Sequence, residues 1–188
     1  MVDRPGPSPF AGGPAEHRLD PVDVRGLAML RHPDSGVLFL QHAHGFRAGP
    51  ALRYDERGRN VSVRYSAGTW AVASIYVFPF DPPRTAAVLA AVFDESKADM
   101  LASVPAGREL RDQRTAFGHT AGGVVAGRRY EVLGPAMPGS TTPDLSLLEV
   151  FALRAWVLKI RATCRLRAVD DLETFLGAWL AASLPGAR

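Results

Sequence analysis

A single cysteine, Cys164, rules out an intrachain disulfide, and its place on the apolar parity of residues 156–165 makes it a packed residue rather than a reactive thiol. Lysine is almost missing as well. Lys97 and Lys159 are the only two, so arginine carries nearly all the positive charge. No apolar run approaches the roughly 18 residues of a membrane-spanning helix, and the first residues contain no apolar core of a secretory signal. The expectation is a soluble, cytoplasmic protein, or an exported one if a native start is missing. Signatures of common chemistries are absent too: there is no Gly-x-Ser-x-Gly elbow, P-loop, Gly-x-Gly-x-x-Gly turn, His-Glu-x-x-His or paired-cysteine zinc pattern. These absences lower the prior for an enzyme, and nothing calls for a cofactor.

What is present supports one core. With 47% apolar residues in 188, the chain can bury a single substantial interior. Residues 1–18 include Pro5, Pro7, Pro9 and Pro14 among several glycines, too little apolar surface to offset the entropy of ordering. They are expected to be a disordered tail, and residues 19–188 a single α+β domain. The net charge is only +3, yet residues 108–167 hold ten basic and five acidic residues, leaving a slight negative balance elsewhere. That asymmetry suits either an acidic partner or a solvated face.

Residues 145–153 are apolar at both parities, which predicts a central strand covered on both faces. A tight reversal leads into residues 156–165, where Trp156, Leu158, Ile160, Ala162 and Cys164 alternate with Val157, Lys159, Arg161, Thr163 and Arg165. Pairing apolar with apolar predicts Val150 opposite Ile160, Ala152 opposite Leu158 and Glu149 opposite Arg161. Earlier in the chain, residues 52–55 and 59–66 predict a hairpin around Glu56-Arg57-Gly58, residues 37–40 a short strand, residues 45–50 a loop, and residues 70–78 another central strand. Residues 21–30 suit a short helix or an extended lead-in, and His32-Pro33-Asp34-Ser35-Gly36 reads as a turn. Asp81-Pro82-Pro83 opens a helix over residues 84–103 with Val88, Leu89, Val92, Ser96 and Met100 on one side. Residues 110–117 and 124–133 predict a second strand pair, the first polar enough to be an edge, and residues 134–143 a loop. The final helix starts at Asp170 with Glu173 as a capping-box analogue and carries Leu172, Phe175, Leu176, Trp179 and Leu180 at 3 and 4 spacing. Tight reversals between strands favour a mainly antiparallel, twisted sheet packed by helices.

The order of Tyr54-Asp55-Glu56-Arg57-Gly58-Arg59-Asn60-Val61-Ser62-Val63, then Ala73-Ser74-Ile75-Tyr76-Val77-Phe78-Pro79, a long helix, and Trp156-Val157-Leu158-Lys159-Ile160-Arg161-Ala162-Thr163 before a terminal helix resembles the PsbP-like fold group. Its members include an extrinsic subunit of the photosynthetic oxygen-evolving complex, a Ran-binding nuclear transport factor and bacterial lipoproteins. The resemblance covers residues 52–184 and implies a helix/sheet/helix sandwich with a non-catalytic binding or accessory role toward a protein partner.

Two groups of side chains invite chemistry. Arg64, Arg129, Glu131, Lys159 and Arg161 all occupy the parity opposite their strands' apolar residues. If they converge, the guanidinium forks and the ammonium suit a carboxylate or phosphate ligand; if they do not, they form a salt-bridged, solvated face. His42 and His44 have the i, i+2 spacing that sets two imidazoles on one side of a strand, with His32, Asp34 or His119 as a third metal ligand. Nucleic acid fits poorly, because acidic residues interrupt the basic ones and no aromatic platform is interleaved. The leading expectation is protein-partner binding through a sheet face or residues 134–143, and the alternative is a small-molecule or enzymatic pocket for an anionic ligand.

Overall fold

A computed structural model describes residues 14–24, 26–80, 86–104, 106–118, 124–137 and 141–183. At its centre are β11 (Asp144–Leu153) and β12 (Trp156–Arg165), joined by the two residues Arg154 and Ala155, with Arg154 at a φ of 54°. All but one residue of β11 is buried, as expected of a strand covered on both faces.

The register differs from the expected one by a single residue. Glu149 faces Ile160, Val150 faces Lys159, Phe151 faces Leu158 and Leu148 faces Arg161. The two-residue turn closes on the Leu153–Trp156 pair and thereby sets every pair behind it. Because side chains alternate with period 2, this shift puts the other apolar set of β11 beside Leu158 and Ile160. Leu145, Leu147, Phe151 and Leu153 share the face of Ile160, and Leu148 and Val150 share the face of Lys159.

Around this hairpin the sheet runs β1 (Ala15–His17), β6 (Phe46–Arg53), β7 (Val61–Ala67), β8 (Ala71–Pro79), β12, β11, β10 (Val124–Gly134) and β9 (Arg108–Gly118), with the short β5 (His42–Ala43) also on β6. Every pairing is antiparallel. A second sheet joins β2 (Asp20–Val24), β3 (Leu27–Arg31) and β4 (Leu38–Leu40), so residues 21–24 and 27–30 are strands rather than a helix. The chain is thus α+β, with a largely antiparallel sheet and the two helices α1 (Ala86–Ser103) and α2 (Val169–Ser183). As expected from its polarity, β9 lies at the edge.

Three elements depart from expectation. Ala15–His17, within the stretch read as a tail, pair with Ala51–Arg53. Residues 46–53 form a strand where a loop was expected over 45–50, because the register breaks between Ala48 and Ala51, and Pro50 sits in that break, where it owes the ladder no N–H. Glu173 lies inside α2, which begins at Val169, and reaches Arg129 instead of closing a capping box. The residues expected to open α1, 81–83, lie outside those described, as do residues 1–13 and residues 119–123 between β9 and β10.

The Ile160 face carries the larger core. Leu172, Phe175, Leu176 and Trp179 of α2 join Val63, Tyr65, Ile75, Leu147, Phe151 and Leu158 of the main sheet and Met29 and Phe39 of the small one. Phe46 and Phe175 stack with centroids 4.3 Å apart, and the indole N–H of Trp179 donates to the Tyr65 hydroxyl at 3.2 Å. On the Lys159 face, Phe93, Met100 and Val104, from α1 and the residue after it, pack with Tyr130, Val132, Leu148, Val150 and Val157. The Glu56-Arg57-Gly58 turn forms as expected: both Asp55 carboxylate oxygens accept, from the N–H groups of Arg59 and Asn60. Gly58 holds a φ of +67°, and a Cβ there would run into the His17 ring.

Candidate functional site

The five polar residues singled out from the sequence do not converge. Register assigns Arg129 and Glu131 to the Ile160 face and Arg64, Lys159 and Arg161 to the opposite one. Parity within one strand fixes alternation only. Tyr130 and Val132 of β10 belong to the α1 core, whereas Leu158 and Ile160 of β12 belong to the α2 core, so the polar sets of these strands end on opposite sides.

Arg129 sits in a saturated network. Its Nε donates to Glu131 Oε1 at 2.6 Å and its Nη1 to Glu149 Oε1 at 3.1 Å, while Nη2 binds Glu173 of α2. Arg111 of β9 also reaches Glu131, at 3.3 Å. Glu131 and Glu149 are buried. Burial pushes the Glu149 carboxyl above the ordinary carboxylate range, against the pull of Arg129. With three carboxylates around one guanidinium, this cluster fastens β10, β11 and α2 together and leaves no cation for a ligand.

The Lys159 face is arranged differently. Arg64 of β7 lies opposite Ser74 of β8, and Ser74 lies opposite Arg161 of β12, so the three form one row across adjacent strands. The next row on one side is Ser62, Tyr76 and Lys159; on the other it is Ser66, Val72, Thr163 and Ser146. Where α1 ends, the sheet is left open as a cleft of about 210 Å³, with Arg64, Ser74, Tyr76 and Arg161 on its floor and Met100, Val104 and Ala136 along its wall. Among the described residues no carboxylate lines it. Among the described residues neither Arg64 nor Arg161 has an ion-pair partner, in contrast to Arg129.

Lys159 flanks the cleft, with its ammonium 4.8 Å from the centre of the Tyr76 ring. Burial holds that ammonium below the ordinary lysine range, and the nearby Arg161 adds to the effect. Burial likewise raises the Tyr76 phenol above its usual value, opposed by Arg161 and Arg64. At pH 7 Tyr76 is a neutral donor, so both arginines and the phenol present N–H or O–H groups to the same space.

His42 and His44 are exposed at the β5–β6 reversal, and His44 takes a φ of 49°, so the chain turns between them and the strand spacing no longer sets both rings on one side. His32 is buried elsewhere: its Nε2 donates to the Gly58 carbonyl at 2.8 Å and its Nδ1 accepts from the Ser35 N–H at 3.2 Å, leaving no lone pair for a metal. Asp34 pairs with Arg59, and His119 lies outside the described residues. Among the described residues no group of three or more His, Cys, Asp or Glu is placed to hold a metal ion. Cys164 is buried and its thiol is pushed up to about 12 by burial, which removes it as a nucleophile at neutral pH.

Ser74, Tyr76, Ser146 and Thr163 were not foreseen in the cleft. Residues 70–78 read as apolar at both parities, and the hydroxyls gain meaning only once β8 is known to lie between β7 and β12. No family model and no curated protein matches the chain. No helix among the described residues is long and apolar enough to cross a membrane.

Proposed function

We propose that this protein is a non-catalytic binding domain that takes an anionic group into the cleft at the end of α1. A single observation carries the reading: Arg64 and Arg161 line one concavity with no carboxylate among its described residues, whereas Arg129 is matched by three glutamates. Guanidinium forks without a built-in counter-charge offer bidentate donors to an incoming anion. The volume suits a small ligand or the charged end of a larger one. Among the described residues the cleft's lining holds hydroxyls but no histidine or carboxylate to act as their base, which supports capture.

The same reading assigns the chain to the PsbP-like fold group as a helix/sheet/helix sandwich. Support comes from α1 side chains in one core, α2 side chains in the other, and the order of strands around them. A protein partner, the leading expectation from the sequence, enters as one possible carrier of the anion.

Thermal melts of the full chain in sulfate, phosphate or succinate, against chloride at equal ionic strength, test the reading. Stabilisation by at least one polyvalent anion should be larger for the natural sequence than for the Arg64→Ala/Arg161→Ala double variant, which keeps only the general effect of such salts on folded proteins. Equal shifts in the two proteins would remove the cleft as an anion site.

A further inference from the structure

The cleft's hydrogen-bonding inventory identifies a chemical class of ligand, and the identification rests on reading the cleft as an anion site. Arg64, Ser74 and Arg161 stand on three adjacent strands in a single cross-strand row. Neighbouring strands are about 4.8 Å apart, so the two arginine Cα atoms are separated by roughly 10 Å, a gap that two extended side chains close from opposite sides. Ser74 lies between the two arginines in that row, with Tyr76 in the next one, and all four line the cleft.

Two guanidinium forks with a hydroxyl below and a phenol alongside converge donors from several directions. A carboxylate is planar, with all its lone pairs in one plane, so two forks from opposite sides and a hydroxyl below that plane cannot all align with it. A tetrahedral phosphate monoester has three terminal oxygens pointing in three directions, which matches two forks and a hydroxyl floor.

The remaining wall favours an organic group on the fourth oxygen. Met100, Val104, Val72 and Ala136 provide apolar surface, and Ser103 adds a polar position where α1 ends. The Ser103 hydroxyl donates to the Asp99 carbonyl, so its oxygen is left as an acceptor for a hydroxyl on the ligand. We propose that the cleft binds a phosphomonoester of a small hydroxylated organic molecule, with the phosphate clamped between Arg64 and Arg161 over Ser74 and the organic part against Met100 and Val104.

Calorimetric titration of the full chain at constant ionic strength, with glycerol 3-phosphate, inorganic phosphate and succinate as probes, tests the class. Glycerol 3-phosphate should bind about tenfold or more tightly than succinate, and Arg64→Ala and Arg161→Ala should each weaken it by about tenfold. Arg161→Lys should also weaken it, because an ammonium keeps the charge but loses the fork. Arg114→Ala, which removes an exposed charge from β9, should leave binding unchanged.

Succinate binding as tightly as glycerol 3-phosphate would overturn the phosphomonoester and leave an anion site. Inorganic phosphate binding as tightly as its glycerol ester would overturn the organic part. Absence of binding by all three probes, or equal losses in Arg114→Ala and Arg161→Ala, would overturn the anion site itself. Arg64 is exposed, so Arg64→Ala should fold normally, and an unchanged melting temperature without ligand separates lost binding from lost structure.

Discussion

His32 shows how much a single residue's surroundings decide. Its ring is fully buried, edge-on to Trp156 at 5.3 Å, with one nitrogen donating to Gly58 and the other accepting from Ser35. Both bonds fit the neutral Nε2–H tautomer. A proton on Nδ1 would cost the bond from the Ser35 N–H and bury a charge, and burial does hold the imidazole below its ordinary value of 6.5. The unfolded chain therefore takes up this proton first as pH falls. The stability that His32 contributes is complete above about pH 6.5 and is lost progressively below it. Urea midpoints measured from pH 8 to 5 should fall through this range for the natural sequence, and His32→Gln should show a shallower fall. The turn around His32 was legible in the sequence through Pro33, Asp34 and Gly36, but its partner Gly58 lies 26 residues away and was not.

At the scale of elements, the Arg129 network couples β10 and β11 to α2 through charge. Replacing Arg129 with methionine keeps a long apolar stem but leaves Glu149 buried without its cation, and Glu131 with only the longer contact from Arg111. Breaking one side of a buried ionic cluster costs about 3 to 5 kcal/mol. Equilibrium urea unfolding of Arg129→Met should show a loss of that order, and adding Glu149→Gln should recover part of it by removing a stranded charge. The sequence reading paired Glu149 with Arg161 across the β11–β12 hairpin, an interaction of about 0.2 to 1 kcal/mol. The true partner comes from β10, on the other side of β11. A charge on a central strand has two neighbouring strands and a covering helix to choose from, and sequence spacing says which one only for a hairpin partner.

For the whole molecule, the larger core is shared between the main sheet, the small β2–β4 sheet and α2. Met29 and Phe39 from the small sheet are fully buried in it, and Phe39 lies 5.9 Å from Trp179, which is itself buried against Tyr65 and Phe175 of the same core. Neither sheet keeps its interior if the other leaves. Urea transitions followed by tryptophan fluorescence and by far-ultraviolet circular dichroism should coincide, as expected of one cooperative unit that includes both sheets and α2. Two separated transitions would mean that β2–β4 unfolds on its own.

Hydrophobic periodicity was enough to determine most of what is local here. The central placement of β11, the hairpin around Gly58, the buried stripe of α2, the polar edge at β9 and the α+β class all follow from patterns within a few residues, because alternation and 3.6-residue spacing are properties of the backbone itself. Tertiary structure alone decided which face each strand turns to which core. The two-residue turn at Arg154 and Ala155 set a register one step from the expected one, and α1 and α2 claimed opposite apolar sets on β10 and β12. Those long-range choices divided five similar polar residues into a neutralised cluster around Arg129 and an open cationic cleft at Arg64 and Arg161. Charge lies on individual side chains, but whether it is satisfied depends on the neighbours that folding supplies.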